Sequence, residues 1–213
     1  MIKNILWDND GVLVDTEKYF FLANKDICKK FNIDFSLDDF RQLILENSIG
    51  PWGKFRKMGF SEEDIVSIRS ERDRIYNSYI LKENVTIKGV KQILEKLHRK
   101  YRMAIVTSSK REHFENIHKR TGFLKYFEFS LTIEDYDSCK PSKDPYIKAL
   151  NVMDVKSDET IVIEDSRRGL IAAFAAGLKC IVIPTELTSK QDFSNAYKII
   201  DTVLDLPDTL KSI

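Results

Sequence analysis

The sequence predicts an α/β fold: a Rossmann-like, doubly wound parallel sheet core with an inserted all-helical cap. Two observations predict it. From Val85 onward, short apolar runs ending in small polar or charged residues alternate with segments whose apolar residues recur at helical spacing. That alternation is the pattern of repeated βα units, joined by right-handed crossovers into a parallel sheet. By contrast, residues 17–84 carry only helical patterns and turns, and they interrupt the alternation after its first strand. The expected division is therefore a core of 1–16 and 85–213 around a cap of 17–84.

The first strand is Ile5-Leu6-Trp7, which stops at Asp8 and is followed by Asp10 and Gly11. Asp15 and Thr16 are residue types that begin helices, and Phe20, Phe21, Asn24, Ile27, Cys28 and Phe31 then recur at helical spacing. The stretches 47–51 and 57–59 are breaks, and Ser61-Glu62-Glu63-Asp64 resembles a capping box that opens a long helix. Gly89 begins a helix with Val90, Ile93, Leu94 and Leu97 on one face, and a strand, Met103–Val106, follows. A helix from Arg111 to about Thr121 ends at Gly122, a residue suited to a helix C-terminus. A strand is expected at 127–132, and Pro145 suits the first turn of the helix after it. The run Ile161–Ile163 leads into a helix rich in glycine and alanine that closes at Gly177. Strands at Cys180–Ile183 and, more briefly, 197–200 complete the pattern.

Composition narrows the function. With 213 residues, 43% hydrophobic and 31% charged, the chain is long enough for one substantial domain with a small insert. A net charge of +1 gives no electrostatic case for nucleic acid or a membrane surface. No apolar run approaches the length of a membrane span, and Asp8 leaves no room for a signal peptide, so a cytoplasmic protein is expected, with monomer the default state. Cys28, Cys139 and Cys180 are odd in number and widely spaced, which argues against a disulfide framework. His113 and His118 stand five positions apart and do not share a helix face, so with His98 they read as structural or surface residues.

In an open parallel sheet, ligands bind along the edge formed by the carboxyl ends of the strands. The strand ends here would bring together Asp8, Asp10, Thr107, Lys140, Glu164 and Asp165. Carboxylates this close repel one another, and a hard cation such as magnesium removes that cost. An acidic metal cradle beside a hydroxyl and a lysine suits a phosphoryl group better than a hydride or a carbonyl. Neither GxxxxGK[ST] nor GxGxxG is present, and the DND start does not continue as a calcium loop.

The stretch DNDGVLVDTE resembles the DxDGxxxDTE signature of the haloacid dehalogenase-like hydrolases. IVTSS, KPSKDPY and VIEDSRRGLIAAFAAG resemble the second, third and fourth motifs of that superfamily, in order, across residues 4 to about 184. The spacing is similar to the helical-capped branch that holds β-phosphoglucomutases and small phosphatases. The resemblance implies a magnesium-dependent phosphatase acting on a small phosphorylated metabolite through an aspartyl phosphate, with sugar phosphates the first substrate class. Asp8 would be the nucleophile and a metal ligand. Asp10 would be the general acid/base, with its backbone carbonyl on magnesium. Asp165 would ligate the metal, and Glu164 would do so directly or through water. Thr107 and the Ser108 N–H would hold the phosphoryl oxygens. Lys140 would hold Asp8 and the phosphoryl group by charge; Lys143, which replaces the second proline of the usual KPxPD, competes for this role but reads as a surface residue.

Two other readings compete. One is a phosphosugar mutase on the same scaffold. β-Phosphoglucomutases carry a histidine shortly after the DT of the first motif, where this chain has Phe20, and that difference favours water as the acceptor. The other is a catalytically silent phosphate-binding protein, against which stands the presence of Asp8, Asp10 and Asp165 together. The cap is expected to enclose substrate against the strand ends and to supply specificity, with Trp52, Lys54 and Arg56 as candidates.

Overall fold

The structure is a computed structural model that describes residues 1–213. The backbone divides into two compact units, Thr16–Asn84 and Met1–Asp15 with Val85–Ile213. No helix is long and apolar enough to cross a membrane.

The unit Thr16–Asn84 is wholly helical. It comprises α1 (Glu17–Lys30), α2 (Leu37–Phe40) continued by a π-helical stretch (Arg41–Glu46), α3 (Trp52–Lys57) and α4 (Glu62–Ile80). The capping box expected at 61–64 forms: Ser61 Oγ accepts from the Asp64 N–H at 3.1 Å, and the Asp64 carboxylate accepts from the Ser61 N–H at 2.9 Å. Thr16 precedes α1 in an αR conformation and makes no side-chain cap bond. Ala23, Ile27 and Cys28 of α1 and Ile65, Tyr76 and Ile80 of α4 are buried, together with Phe40 and Phe55. Phe20 meets Tyr76 edge-on at 5.2 Å and lies 4.4 Å from the guanidinium of the buried Arg72. Arg72 is neutralised by Asp73 at 2.9 Å and also donates to Asn24 Oδ1 at 3.2 Å.

The other unit is built on six parallel strands: β1 (Asn4–Trp7), β2 (Arg102–Val106), β3 (Ser130–Leu131), β4 (Thr160–Glu164), β5 (Lys179–Val182) and β6 (Lys198–Ile199). They lie in the order β3-β2-β1-β4-β5-β6. The helices are α5 (Val90–Leu97), α6 (Arg111–Thr121), α7 (Asp144–Met153), α8 (Arg167–Ala175) and α9 (Leu206–Lys211). Leu6, Ala104, Val106, Val162, Cys180 and Val182 pack on Tyr146, Ala149 and Met153 of α7 and on Leu170, Ala172 and Ala173 of α8. Side chains alternate along a strand, so Ile5, Trp7, Met103, Ile105, Ile161, Ile163 and Ile181 face the other way. They are at most 1% exposed, which requires a second helical layer. The sheet is thus covered on both faces, as its near-continuous apolar strands demand.

The strand expected at 127–132 is shorter than its apolar run. Backbone bonds from Glu128 N to Met103 O and from Ile105 N to Phe129 O align it beside β2, but the regular ladder covers only Ser130–Leu131. Thr132 ends it, because its N–H and hydroxyl both bond to the Asp135 carboxylate and begin a tight 3₁₀ turn.

Candidate active site

The chain runs from β1 outward to β2 and β3 on one side, then crosses back to place β4 on the other side of β1, so the carboxyl end of β1 is a switch point of the sheet. Asp8 sits there, its N–H bonded to Ile163 O at 2.9 Å. The chain then folds back on itself: the Asn9 carbonyl accepts from the N–H groups of Val12, Leu13 and Val14. Gly11 turns with φ +82°, and a Cβ there would lie 2.5 Å from Asp165 Oδ2. Only glycine meets both the backbone conformation and the close approach.

Lys140 is buried at the centre of this edge. Its ammonium donates to Asp8 Oδ1 at 2.6 Å, Glu164 Oε1 at 2.7 Å and Val106 O at 2.8 Å, which uses all three of its hydrogens. Glu164 is wholly buried and also accepts from the Tyr146 hydroxyl at 2.8 Å and the Ser166 hydroxyl at 3.1 Å. Burial works against the charge of Lys140, but the carboxylates of Asp8 and Glu164 outweigh it and hold its pKa above the ordinary lysine value. Burial and then the nearby Glu164 push Asp8 well above the usual carboxylate range, while Lys140 pulls it down.

Asp8, Glu164 and Asp165 are all buried and present oxygens within 4.8 Å of one another. Three carboxylates face one ammonium, so the ionised cluster carries two excess negative charges. Hard oxygen donors with that charge fit a divalent cation such as magnesium. Glu164 already accepts from Lys140, Tyr146 and Ser166, so Asp8 and Asp165 are the carboxylates best suited to bind it directly.

Thr107 follows β2 and is buried. Its hydroxyl donates to Asp10 Oδ2 at 3.3 Å and accepts from the Ser109 N–H at 3.1 Å. Ser109 Oγ donates to the same Asp10 oxygen at 2.6 Å. Ser108 lies between them, half-buried. Asp10 is thereby held by the residues that end β2, while Asp8 is held by Lys140.

Sequence reasoning missed Ser109, Tyr146, Asn9 and His118. The first two stand inside the quoted stretches IVTSS and KPSKDPY, and an inventory of every hydroxyl there would have found them. Asn9 stands inside DNDGVLVDTE, but its partner carries no such signal: His118 Nε2 meets Asn9 Oδ1 at 2.8 Å across 109 positions of chain. Both His113 and His118 are buried, so neither is a surface residue. Lys143 and Lys110 are exposed, and Arg111 pairs with Asp135 at 2.5 Å. In the helical unit, Lys54 pairs with Asp39 at 2.8 Å, Arg56 with Glu62 at 2.5 Å, and Trp52 is buried with the Arg69 guanidinium 4.8 Å from its ring. Cys139 is half-buried; Cys28 and Cys180 are buried, and all three are free thiols.

A family model described as haloacid dehalogenase-like hydrolase matches residues 5–183. The chain is 27% identical over 218 residues to pyrophosphatase PpaX of Bacillus mycoides, covering 100% of this chain and 98% of that protein. It is 28% identical over 186 residues to a phosphorylated carbohydrates phosphatase of Thermotoga maritima, covering 84% of each. Its fold is similar to the crystal structure of a β-phosphoglucomutase from Clostridium difficile, with a TM-score of 0.86 at 21% identity over 100% of this chain and 96% of that one.

Proposed function

Because the chain belongs to the haloacid dehalogenase-like hydrolase family, we propose that it is a magnesium-dependent phosphatase. Its substrate is a small phosphomonoester, with phosphorylated carbohydrates the favoured class, and the reaction runs through an aspartyl phosphate on Asp8. One observation carries this reading. A buried lysine is clamped between Asp8 and Glu164 at the switch point, with Asp165 beside them. Such a cluster concentrates a nucleophile and charge stabilisation where a phosphate can enter.

Lys140 fixes Asp8 through Oδ1, which leaves the other carboxylate oxygen to attack phosphorus. Asp10 protonates the departing alkoxide, so the first step yields a free alcohol and phospho-Asp8. Asp10 then takes a proton from water, whose oxygen attacks phosphorus and releases inorganic phosphate and Asp8. The Ser108 N–H and the Thr107 hydroxyl hold the non-bridging oxygens, the latter turning from its long 3.3 Å bond to Asp10 when the phosphate enters. Magnesium, held by Asp8 and Asp165, would offset charge on the phosphoryl oxygens. Glu164 orients Lys140 and would bind the metal through water.

The acceptor is water. Phe20, where mutases of this branch carry a histidine, packs on Tyr76 and Arg72 and can neither give nor take a proton. The test is a panel of phosphorylated metabolites, assayed for phosphate release with magnesium and with chelator. Release from sugar phosphates in magnesium alone is expected, and equal activity in chelator would remove magnesium from the mechanism. β-Glucose 1-phosphate with catalytic 1,6-bisphosphate tests the mutase reaction; isomerisation that greatly outruns phosphate release would overturn the hydrolase reading.

A further inference from the structure

We propose that His118 and Asn9 form a positioning relay behind Asp10: His118 fixes the side-chain amide of Asn9, which in turn holds the Asp10 carboxylate in its proton-transfer orientation. This rests on the reading of Asp10 as general acid/base.

The hydrogen bonds leave one consistent arrangement of protons. Asn9 Nδ2 is turned to Asp10, so Asn9 Oδ1 faces His118, while Thr121 Oγ1 accepts from the Phe123 N–H at 3.2 Å and meets His118 Nδ1 at 2.9 Å. The imidazole is neutral, because burial lowers its pKa to about 4 against the opposing pull of Asp10. An amide oxygen can only accept, so Nε2 carries the hydrogen and donates to Asn9 Oδ1 at 2.8 Å, which leaves Nδ1 of the neutral ring to accept from the Thr121 hydroxyl. That fixes the Asn9 amide so that Nδ2 donates to Asp10 Oδ2 at 3.2 Å. Every donor in the chain points toward the carboxylate.

Asn9 is fully buried and its own carbonyl anchors the turn through three N–H groups, so neither its backbone nor its side chain is loose. Together with Thr107 and Ser109, Asn9 fixes Asp10 Oδ2 from three donors. A buried polar chain of this kind gives little net stability, since an apolar pair of the same shape is often as stable. Its value lies in where it ends, on a partly exposed carboxylate that must meet a leaving oxygen within hydrogen-bond reach.

The experiment is single-turnover phosphorylation of Asp8 by a series of phosphomonoesters, from p-nitrophenyl phosphate to alkyl phosphates. A poor leaving group needs the acid; a good one does not. Asp10→Asn is the reference, and it should lose far more rate with alkyl than with aryl esters. His118→Leu should show the same slope in reduced form, losing about tenfold with alkyl esters and at most about twofold with the aryl ester, with KM unchanged. His118→Gln keeps an N–H near Nε2 and should recover most of the loss. The double variant with Asn9→Leu should be no slower than Asn9→Leu alone. Should His118→Leu fail to fold, Asn9→Leu and Thr121→Val carry the comparison. A leaving-group slope in Asp10→Asn with a uniform loss, or none, in the relay variants would overturn the relay. No slope in Asp10→Asn would instead overturn the acid/base reading and the relay with it.

Discussion

Gly169 leaves the space that the Glu164 carboxylate fills: a Cβ on Gly169 would lie 1.8 Å from it. Glu164 cannot move away cheaply, because Lys140, Tyr146 and Ser166 all hold it. Gly169→Ala should therefore displace Glu164, release one side of Lys140 and lower kcat at least about tenfold. Alanine favours the helix by only about 1 kcal/mol, while pulling Glu164 from its buried pair with Lys140 costs about 3–5 kcal/mol, so stability should fall as well. Urea unfolding beside steady-state rates checks this: activity and unfolding midpoint should both drop, and an unchanged midpoint would mean that Glu164 keeps its place.

Lys140→Met removes the one ammonium between two buried carboxylates. Breaking such a pair from one side costs about 3–5 kcal/mol, since it leaves buried charge uncompensated. Phosphatase activity should vanish and the unfolding midpoint in urea should drop sharply; unchanged stability would mean that the carboxylates are relieved by other means.

The raised pKa of Asp8 has a sign. A carboxyl whose folded value is above 3.8 contributes most stability at acid pH and loses it as pH rises through the folded value. Ionising Asp8 in the metal-free fold is therefore a cost. Magnesium should stabilise the wild type by about 2.7 kcal/mol at a hundred times Kd and so raise its Tm. Asp8→Asn should be inactive, no less stable than the wild type in chelator, and blind to magnesium in a thermal-shift titration.

His118 titrates in the opposite sense. Its pKa is lowered from 6.5 to about 4, so between those values the unfolded chain takes up a proton that the folded one refuses. Stability should fall by about 3 kcal/mol as pH drops from 6.5 to 4, then level off. His118→Gln should flatten that part of the profile, measured by urea unfolding at a series of pH values; a parallel curve would place the titration elsewhere.

Most of the sheet was legible because its signals are local. Apolar runs that end abruptly in Asp8, Thr107 and Glu164 mark strand ends, and the parallel crossovers bring such ends to one edge. The capping box at Ser61 was legible for the same reason. The strand at 127–132 was overread because its apolar run does not reveal that Thr132 bonds to Asp135 and ends the ladder. Lys54 and Arg56 read as candidate anion binders, since a sequence does not show that they pair with Asp39 and Glu62.

The sequence by itself determined the α/β class, the helical insert and the set of carboxylates and lysine at the strand ends, because these follow from periodicity and from residue type beside a break. Only the tertiary structure decided how those side chains are held. That Glu164 serves Lys140 and Tyr146, that Gly11 and Gly169 make room for carboxylates, and that His118 reaches Asn9 depend on packing between segments far apart in the chain. A helix wheel orders residues around their own axis, and it carries no information about what the neighbouring strand presents to them.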